Sequence, residues 1–317
     1  MPHTPVLLNE VIKFLEPKPG EFFIDGTLGA GGHAELILKQ LGETGTLLAI
    51  DLDKSAVDAF KLKFPNGGTK KVIMQANFAD LREILVEHGL GRADGLILDL
   101  GFSSDELERS GRGFTYQKDE PLLMTFSDKE APVYEVLAHV SEKELADIIS
   151  EFSDERYAAR IAAEIKRTLR RKRISTTFEL RDAVTRAVPK NYERGRIHPA
   201  TRTFQALRVY ANREYENLKK VLNDLPHILK KGGRAAVITF HSGEDRIVKH
   251  TFADMAKREV LELINKKVIT AGREEERSNP RSRSAKLRAA IMQANSERIG
   301  GKGPSAVLTN ALLIAKP

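Results

Sequence analysis

The sequence contains no cysteine, which excludes disulfides, thiolate metal sites and a cysteine nucleophile. It has no run of about 18 apolar residues that could span a membrane. Residues 1–10 lack the basic and apolar segments of a secretory signal. These absences disfavour secreted and membrane proteins, and they predict a cytoplasmic location.

What is present is typical of a globular protein. The 317 residues, 41% hydrophobic and 30% charged, suffice for one large domain or two moderate ones. The formal net charge of +7 favours a polyanionic partner. Residues 151–200 carry most of this surplus, with 13 Lys and Arg against seven Asp and Glu. Their densest run, residues 166–173, is either a solvated helix face or a surface that contacts phosphates.

A glycine-rich segment indicates a nucleotide pocket. In residues 22–36 an apolar run stops at Asp25 and breaks into a glycine-rich turn that opens a helix. Glycines let the backbone approach a ligand closely, and ligands of α/β sheets lie beyond the carboxyl ends of the strands. The next strand pattern ends at Asp51, an acid placed to accept hydrogen bonds from ribose hydroxyls.

These residues leave the cofactor open. The spacing of Gly29, Gly31 and Ala34 matches the relaxed dinucleotide fingerprint, which is consistent with an NAD-dependent oxidoreductase. Asp25 would repel a pyrophosphate, however, and could hold an ammonium or hydroxyl group through bridging donors. This feature favours S-adenosylmethionine, whose amino-acid end carries an ammonium. A tight connection without a ligand is the third interpretation.

The order of strand and helix patterns predicts the architecture. Five segments are typical of buried parallel strands and two of weaker strands: 21–25, 46–51, 71–75, 95–100 and 234–241, then 260–264 and 285–291. Helical patterns fill the long gap after the fourth strand: 142–152, 156–169, 177–188 and 198–225. We expect a doubly wound, mostly parallel Rossmann-like α/β sheet with an inserted all-helical domain. The predicted units are residues 1–104 with 213–296, the insertion 105–212, and a C-terminal tail, 297–317.

Residues after the fourth strand suit the alignment of an amine. An exocyclic amine attacks an electrophile poorly because its lone pair is delocalised, so acceptors must hold its N–H bonds. Asp99 and Ser103 can do this. His241 and Ser242 follow the fifth strand, where a hydrolytic triad cannot easily converge within one turn, so we interpret both as pocket or scaffold groups. Phe78, after the third strand, could pack on an adenine.

One helix of the insertion carries a polar face. Arg202, Gln205 and Arg208 recur at spacings of three residues, while Phe204 and Leu207 mark the buried side. Such a face suits a phosphate or a nucleobase, and a solvated surface helix is the alternative.

Several blocks of the sequence match one known family. They are residues 3–8, 25–33, 49–51, 99–104, 112–114, 198–206, 240–242, 244–249 and 279–288. In these blocks the chain resembles the bacterial S-adenosylmethionine-dependent small-subunit ribosomal RNA methyltransferases of the MraW (RsmH) type. Those enzymes methylate the exocyclic N4 of a cytidine in the decoding centre. The resemblance implies an RNA-gripping insertion and, as partner, small-subunit ribosomal RNA or the assembled small subunit.

The expected site residues combine the strand-end positions with this resemblance. The cofactor contacts that it implies are Gly31, Gly32, His33, Asp51, Phe78 and Asp99, with Glu106 standing where the family more often has glutamine. The catalytic candidates are Asp99, Ser103 and His241. The substrate-binding candidates are His198, Arg202, Gln205 and Ser242. No metal is expected.

Two further departures concern the function. Leu123 and Thr125 stand where the family usually has an acid and an arginine. An RNA-binding assembly factor with weak or no transferase activity is therefore the first alternative, and an NAD-dependent oxidoreductase the second. The sequence leaves open whether free RNA or the assembled subunit is the substrate, and it leaves open the oligomeric state.

Overall fold

The strands lie close to their predicted positions. A computed structural model describes residues 5–65, 68–101, 110–127 and 130–293. Its strands are β1 Phe22–Asp25, β2 Thr46–Asp51, β3 Lys70–Gln75, β4 Ala93–Asp99, β5 Leu229–Thr239, β6 Leu261–Leu263 and β7 Lys286–Met292. The helices within these residues are α1 Leu8–Leu15, α2 Gly32–Leu41, α3 Lys54–Lys63, α4 Leu81–Glu87, α5 Val133–His139, α6 Glu142–Ser153, α7 Ala158–Leu169, α8 Thr177–Ala187, α9 Ala200–Ala211, α10 Glu214–Ile228, α11 Ser242–Lys257 and α12 Arg273–Ser278.

The strands form one mostly parallel sheet in the described part of the chain. Their order is β3-β2-β1-β4-β5-β7-β6, with β1 to β5 parallel and β7 antiparallel to both β5 and β6. The strand order reverses between β1 and β4, where open α/β sheets bind ligands. Because parallel strands end at the same edge, Asp25, Asp51 and Asp99 lie along that edge. The predicted doubly wound, Rossmann-like class is confirmed.

The fifth strand differs most from its prediction. It was expected at 234–241 but spans Leu229–Thr239. Its first part was missed because residues 230–232 are exposed and break the apolar pattern. Its predicted end was wrong because His241 leaves the strand to cap α11. Within 270–284, where no element was predicted, the chain forms α12 and a short 3-10 helix, Pro280–Ser284.

The helical pattern predicted at 198–225 divides into two helices. Arg213 adopts a left-handed conformation with φ 51°, which ends α9 and starts α10. The side chain of Asn212 stabilises the break, since its Nδ2 donates to the carbonyls of Arg208 and Met124. Its Oδ1 accepts from the N–H of Phe126 at 3.0 Å. The break therefore joins α9 to the segment before α5.

Helices α5 to α9, which follow β4, have their own hydrophobic core. Leu145, Ile161, Leu180 and Leu207 are among its fully buried members. Two other clusters fill the sheet's faces. We propose that residues 105–212 form the expected inserted domain, whose second boundary coincides with the break after Asn212. Its first boundary and the tail, 297–317, lie outside the described residues. None of the described helices is both long and apolar enough to cross a membrane.

Candidate active site

The glycine-rich turn is tied to both neighbouring strands. The N–H of Gly26 donates to the carbonyl of Ile97 at 3.0 Å, and that of Leu28 donates to Ile50 at 3.0 Å. Gly31 adopts φ 78°, and a Cβ there would lie 2.3 Å from the ring of Phe60. Glycine is therefore required at this position on two counts. The N-cap residue of α2 is Gly31, which has no side chain to cap the helix, so within the described residues its first N–H groups remain available to a ligand.

Asp51 is held by the turn that it faces. One carboxylate oxygen accepts from the N–H of Gly29 at 2.7 Å, and the other accepts from Asp53 at 2.8 Å. Burial raises the pKa of Asp51, and the two hydrogen bonds oppose this shift. The carboxylate lines a cavity together with Phe78, which follows β3. This pairing of an acid and a ring suits the ribose and base of a nucleoside.

Asp99 lies at the end of β4, beside the same turn. Its N–H donates to Oγ1 of Thr27 at 2.6 Å, and its Oδ1 accepts from the N–H of Gly101 at 3.4 Å. Burial raises the pKa of Asp99 to about 7, the Gly101 bond lowers it, and the charge of Glu244 raises it further. Near neutral pH this carboxyl group is therefore present in both protonation states.

His33 supplies an acceptor beside Asp99. Its Nε2 lies 3.1 Å from the carbonyl of Val6, which can only accept, so Nε2 carries the hydrogen. Burial lowers the pKa of His33, which keeps the ring neutral and leaves a lone pair on Nδ1. That atom is 3.7 Å from Oδ2 of Asp99. Two adjacent acceptors suit a cationic hydrogen-bond donor such as an ammonium group.

Two adjoining cavities bring most of the predicted cofactor residues together. Both are lined by Thr27, Gly29, Asp99 and Gly101. The larger one also has a sheet side and a helix side: Gly26, Asp51, Leu52, Ala76, Phe78 and Leu100, then Phe126, Asn212, Glu214, Asn217, Leu218 and Glu244. The smaller one adds Pro5, Val6, Leu28, Ala30, Gly31, Gly32, His33, Phe240 and Arg281. Ser103 and Glu106 lie outside the described residues.

His241 caps α11 and contacts Glu244. Its Nδ1 accepts from the N–H of Glu244 at 3.4 Å, and its Nε2 lies 3.0 Å from Oε1 of the same residue. The other oxygen of Glu244 accepts from the N–H of Phe240 at 2.8 Å. Among the described residues that line the cavities, Glu244 is present and His241 is not. The N–H of His241 also donates to the Glu244 carboxylate at 3.4 Å, whereas its buried Nε2 forms no hydrogen bond within the described residues.

Three predicted substrate residues contact the end of α6 and the residues after it. Arg202 donates to Glu193 at 2.9 Å and lies 3.7 Å from the buried carboxylate of Glu155. Gln205 donates to the carbonyl of Phe152 at 3.3 Å. The hydroxyl of Ser242 donates to Asp154 at 3.1 Å. These side chains join α9 and α11 to residues 152–155.

The fourth predicted substrate residue, His198, is exposed on an aromatic surface. Its ring stacks on Tyr116, with the centroids 4.6 Å apart and the planes 15° apart. Partial burial and the nearby charge of Arg181 lower its pKa, so the ring is neutral at pH 7. Arg181 itself stacks on Phe178 at 3.8 Å from the ring centroid. Together these four residues form a surface that we call the stacking surface.

Sequence reasoning missed the helix side of the larger cavity. Asn212 and Glu214 were missed because the pattern 198–225 was interpreted without its break. Glu244 could have been found, since a residue three positions after a helix cap often closes a capping box. The unusual Thr125 is buried, and its hydroxyl accepts from Arg112 at 3.1 Å, next to the cavity residue Phe126.

One group in the described residues brings metal-ligating side chains together. Glu214, His241 and Glu244 each offer a ligand atom, and these atoms lie within 4.8 Å of one another. Both oxygens of Glu214 already accept from Arg208, at 2.8 and 2.9 Å. Glu244 and His241 bond each other across the helix cap. A metal ion would have to displace Arg208 from Glu214 and the helix-cap bonds of Glu244, so we interpret the group as a joint between α9, α10 and α11.

Comparison with known proteins identifies the family. Residues 1–293 match the model of the MraW methylase family. A protein of Trichlorobacter lovleyi named ribosomal RNA small subunit methyltransferase H is 43% identical over 307 residues, which cover 91% of this chain and 97% of that protein. A protein of the same name from Synechocystis sp. is 44% identical over 292 residues, covering 90% and 92%. The chain therefore belongs to the MraW methylase family, and its cofactor is S-adenosylmethionine.

Proposed function

We propose that this protein methylates the exocyclic N4 of a cytidine in the decoding region of small-subunit ribosomal RNA, and that it does so in the cytoplasm. The names of its relatives support the RNA substrate. The observation that carries the chemistry is the position of Asp99. Its carboxylate lines both cavities, between the residues suited to the nucleoside of the donor and the helix side of the larger cavity.

The residues around Asp99 fit the demands of an amine acceptor. When bound, S-adenosylmethionine supplies an electrophilic methyl group. The cytidine amine needs acceptors that hold its N–H bonds and align its lone pair. Asp99 and Glu244 line one cavity and can share this task. With a pKa near 7, Asp99 can also take up the proton that the methylated amine loses.

The remaining catalytic candidates have supporting roles in this proposal. Ser103 adds a hydroxyl close in sequence to Asp99. His241 positions Glu244 through its Nδ1, which accepts from the N–H of Glu244, and through its own backbone N–H, which donates to the carboxylate. Leu123 and Thr125 precede Phe126, whose placement in the cavity does not require the family's usual acid and arginine.

The stacking surface supports binding of unpaired RNA. Aromatic faces and arginine planes stack on bases that have left a helix. His198 and Tyr116 offer such a face, and Arg181 adds a cation beside it. In this proposal Arg202, Gln205 and Ser242 serve the substrate by fixing the end of α6 against α9 and α11.

Several cations of the run at 166–173 already bind partners within the protein. Arg167 pairs with Glu164, Lys172 pairs with Glu179, and Lys166 donates to a backbone carbonyl. Within the described residues, Arg170 and Arg171 form no ion pair. We propose that these two arginines contact the RNA backbone.

The test is methyl transfer from labelled S-adenosylmethionine to small subunits from a strain that lacks the enzyme. Digestion of the product should yield N4-methylcytidine. Naked ribosomal RNA tested in parallel distinguishes free RNA from the assembled subunit. Binding to subunits without label incorporation would instead indicate an assembly factor. Label on another nucleoside would refute the proposed target atom.

A further inference from the structure

The smaller cavity contains a basic residue, Arg281, that the family resemblance did not assign. It is the single Lys or Arg among the described residues that line either cavity. It belongs to the 3-10 helix Pro280–Ser284, where buried Ser282 donates its hydroxyl to the carbonyl of Asn279 at 2.8 Å. These contacts fix the turn that carries Arg281.

The segment with Arg281 is also joined to the N-terminal residues that line the same cavity. Glu275, in α12, accepts from the N–H of Leu7 at 2.8 Å. Leu7 directly follows Pro5 and Val6, which line the smaller cavity together with Arg281. The guanidinium therefore belongs to a braced wall rather than to a free surface loop.

The two cavities differ in charge, since the smaller one pairs Asp99 with Arg281. The larger cavity is lined by Asp51, Asp99, Glu214 and Glu244, and its described lining contains no Lys or Arg. A ligand carboxylate placed there would be repelled. The smaller cavity combines Arg281 with the N-terminus of α2, whose N-cap residue Gly31 has no capping side chain. Helix N-termini and guanidinium groups both favour anions.

We propose that Arg281 binds the α-carboxylate of S-adenosylmethionine. The two acceptors at His33 and Asp99 then face the neighbouring ammonium group, and Asp51 with Phe78 faces the adenosine. Arg281 thereby sets the direction of the donor in the cleft. This inference depends on the cofactor and not on the proposed RNA target.

The test compares two ligands that differ only in the carboxylate. They are S-adenosylhomocysteine and its decarboxylated analogue, S-(5′-adenosyl)-3-thiopropylamine. Their Kd values are measured by calorimetry for the full chain and for Arg281→Ala. The variant should bind S-adenosylhomocysteine about tenfold more weakly, as expected for a lost charged hydrogen bond. Its affinity for the analogue should stay within about twofold. The difference between the two losses of affinity measures the coupling between Arg281 and the carboxylate, as in a double-mutant cycle.

Two further variants control this experiment. Arg283→Ala removes an exposed arginine of the same 3-10 helix and should leave both Kd values unchanged. Arg281→Lys should restore part of the preference for the carboxylate, because the cation remains but the planar fork is lost.

Three results would overturn the inference. Equal losses for both ligands would mean that Arg281 only shapes the pocket. Unchanged affinity for both would mean that other groups hold the carboxylate. Weaker RNA binding with an intact preference between the two ligands would assign Arg281 to a phosphate of the substrate. Methylation of another nucleoside would refute the proposed target atom but leave this inference intact.

Discussion

The strand ends and the face of α9 show how differently a sequence specifies two parts of the predicted site. Asp51 and Asp99 accept hydrogen bonds from backbone groups close by, at Gly29 and Gly101. Arg202 and Gln205 instead contact Glu193 and the carbonyl of Phe152. The sheet topology places a residue at a strand end, whereas the segments packed on a helix decide whether its face is free.

The largest effect is expected at Asp99. Asp99→Ala should lower the single-turnover methylation rate at saturating donor and RNA by about 100-fold, as for the loss of a group that aligns the reaction centre. Donor affinity is measured separately, because Asp99 also lines the donor side. Asp94→Asn is the matched control, since Asp94 starts the same strand and pairs with Lys230.

The pH dependence of the methylation rate is a second test of Asp99. Because burial raises the pKa of Asp99 to about 7, the carboxylate form increases as the pH rises from 6 to 8. The methylation rate should rise over the same interval. Asp99→Asn should be slow and should lack this rise. A parental pH profile in that variant would show that Asp99 is not the titrating group.

Substitution of Asp51 should weaken donor binding more than it slows methyl transfer. Asp51→Ala should weaken binding of S-adenosylhomocysteine by roughly 10- to 100-fold, the range for a hydrogen bond to a charged group. Asp53→Ala is the control, because Asp53 caps α3 and does not line the described cavities. Calorimetry measures both. Unchanged affinity in Asp51→Ala would remove Asp51 from the donor site.

The fold could be predicted largely from short apolar runs between helices. β2 and β3 matched to within a residue because each contains a continuous apolar stretch, 47–50 and 72–74. The start of β5 did not, since residues 230–232 are exposed and the register with β4 shifts between Ala93 and Gly95. The break at Asn212 was missed because it depends on the carbonyl of Met124, 88 positions away.

The site was predicted where local sequence determines geometry. The turn between Gly26 and His33 lines the two cavities, and at Gly31 the ring of Phe60 requires glycine. That this turn holds the donor stays a prediction. Glu214 and Arg281 reach the cavities from distant segments. Neither periodicity nor spacing reports such an approach, so both needed the structure.

Substitution of His198 tests whether the residues between β4 and β5 bind RNA by stacking. His198→Ala should weaken RNA binding about five- to tenfold, within the range for one stacked base. Its salt dependence should not change, because the lowered pKa keeps the ring neutral. Arg170→Glu combined with Arg171→Glu should instead flatten that dependence. Salt titrations of RNA binding distinguish the two. Failure of His198→Phe to restore affinity would contradict stacking.

Arg202 should have the smallest effect on binding and a clear effect on stability. It lies near the fully buried carboxylate of Glu155, which also accepts from the hydroxyl of Tyr192. Arg202→Ala leaves that charge with less compensation, so the free energy of unfolding should fall by about 1–3 kcal/mol, less than for a fully buried pair because Arg202 is partly exposed.

Denaturant unfolding measures this loss, and RNA and donor affinities well below the midpoint should stay within about twofold of the parent. The double variant Arg202→Met with Glu155→Gln should recover part of the stability, because no buried charge remains unpaired. A tenfold loss of RNA affinity at unchanged stability would mean that Arg202 leaves its partners to contact RNA. Arg202 would then be a direct RNA contact, contrary to our interpretation that the face of α9 is occupied by packed segments.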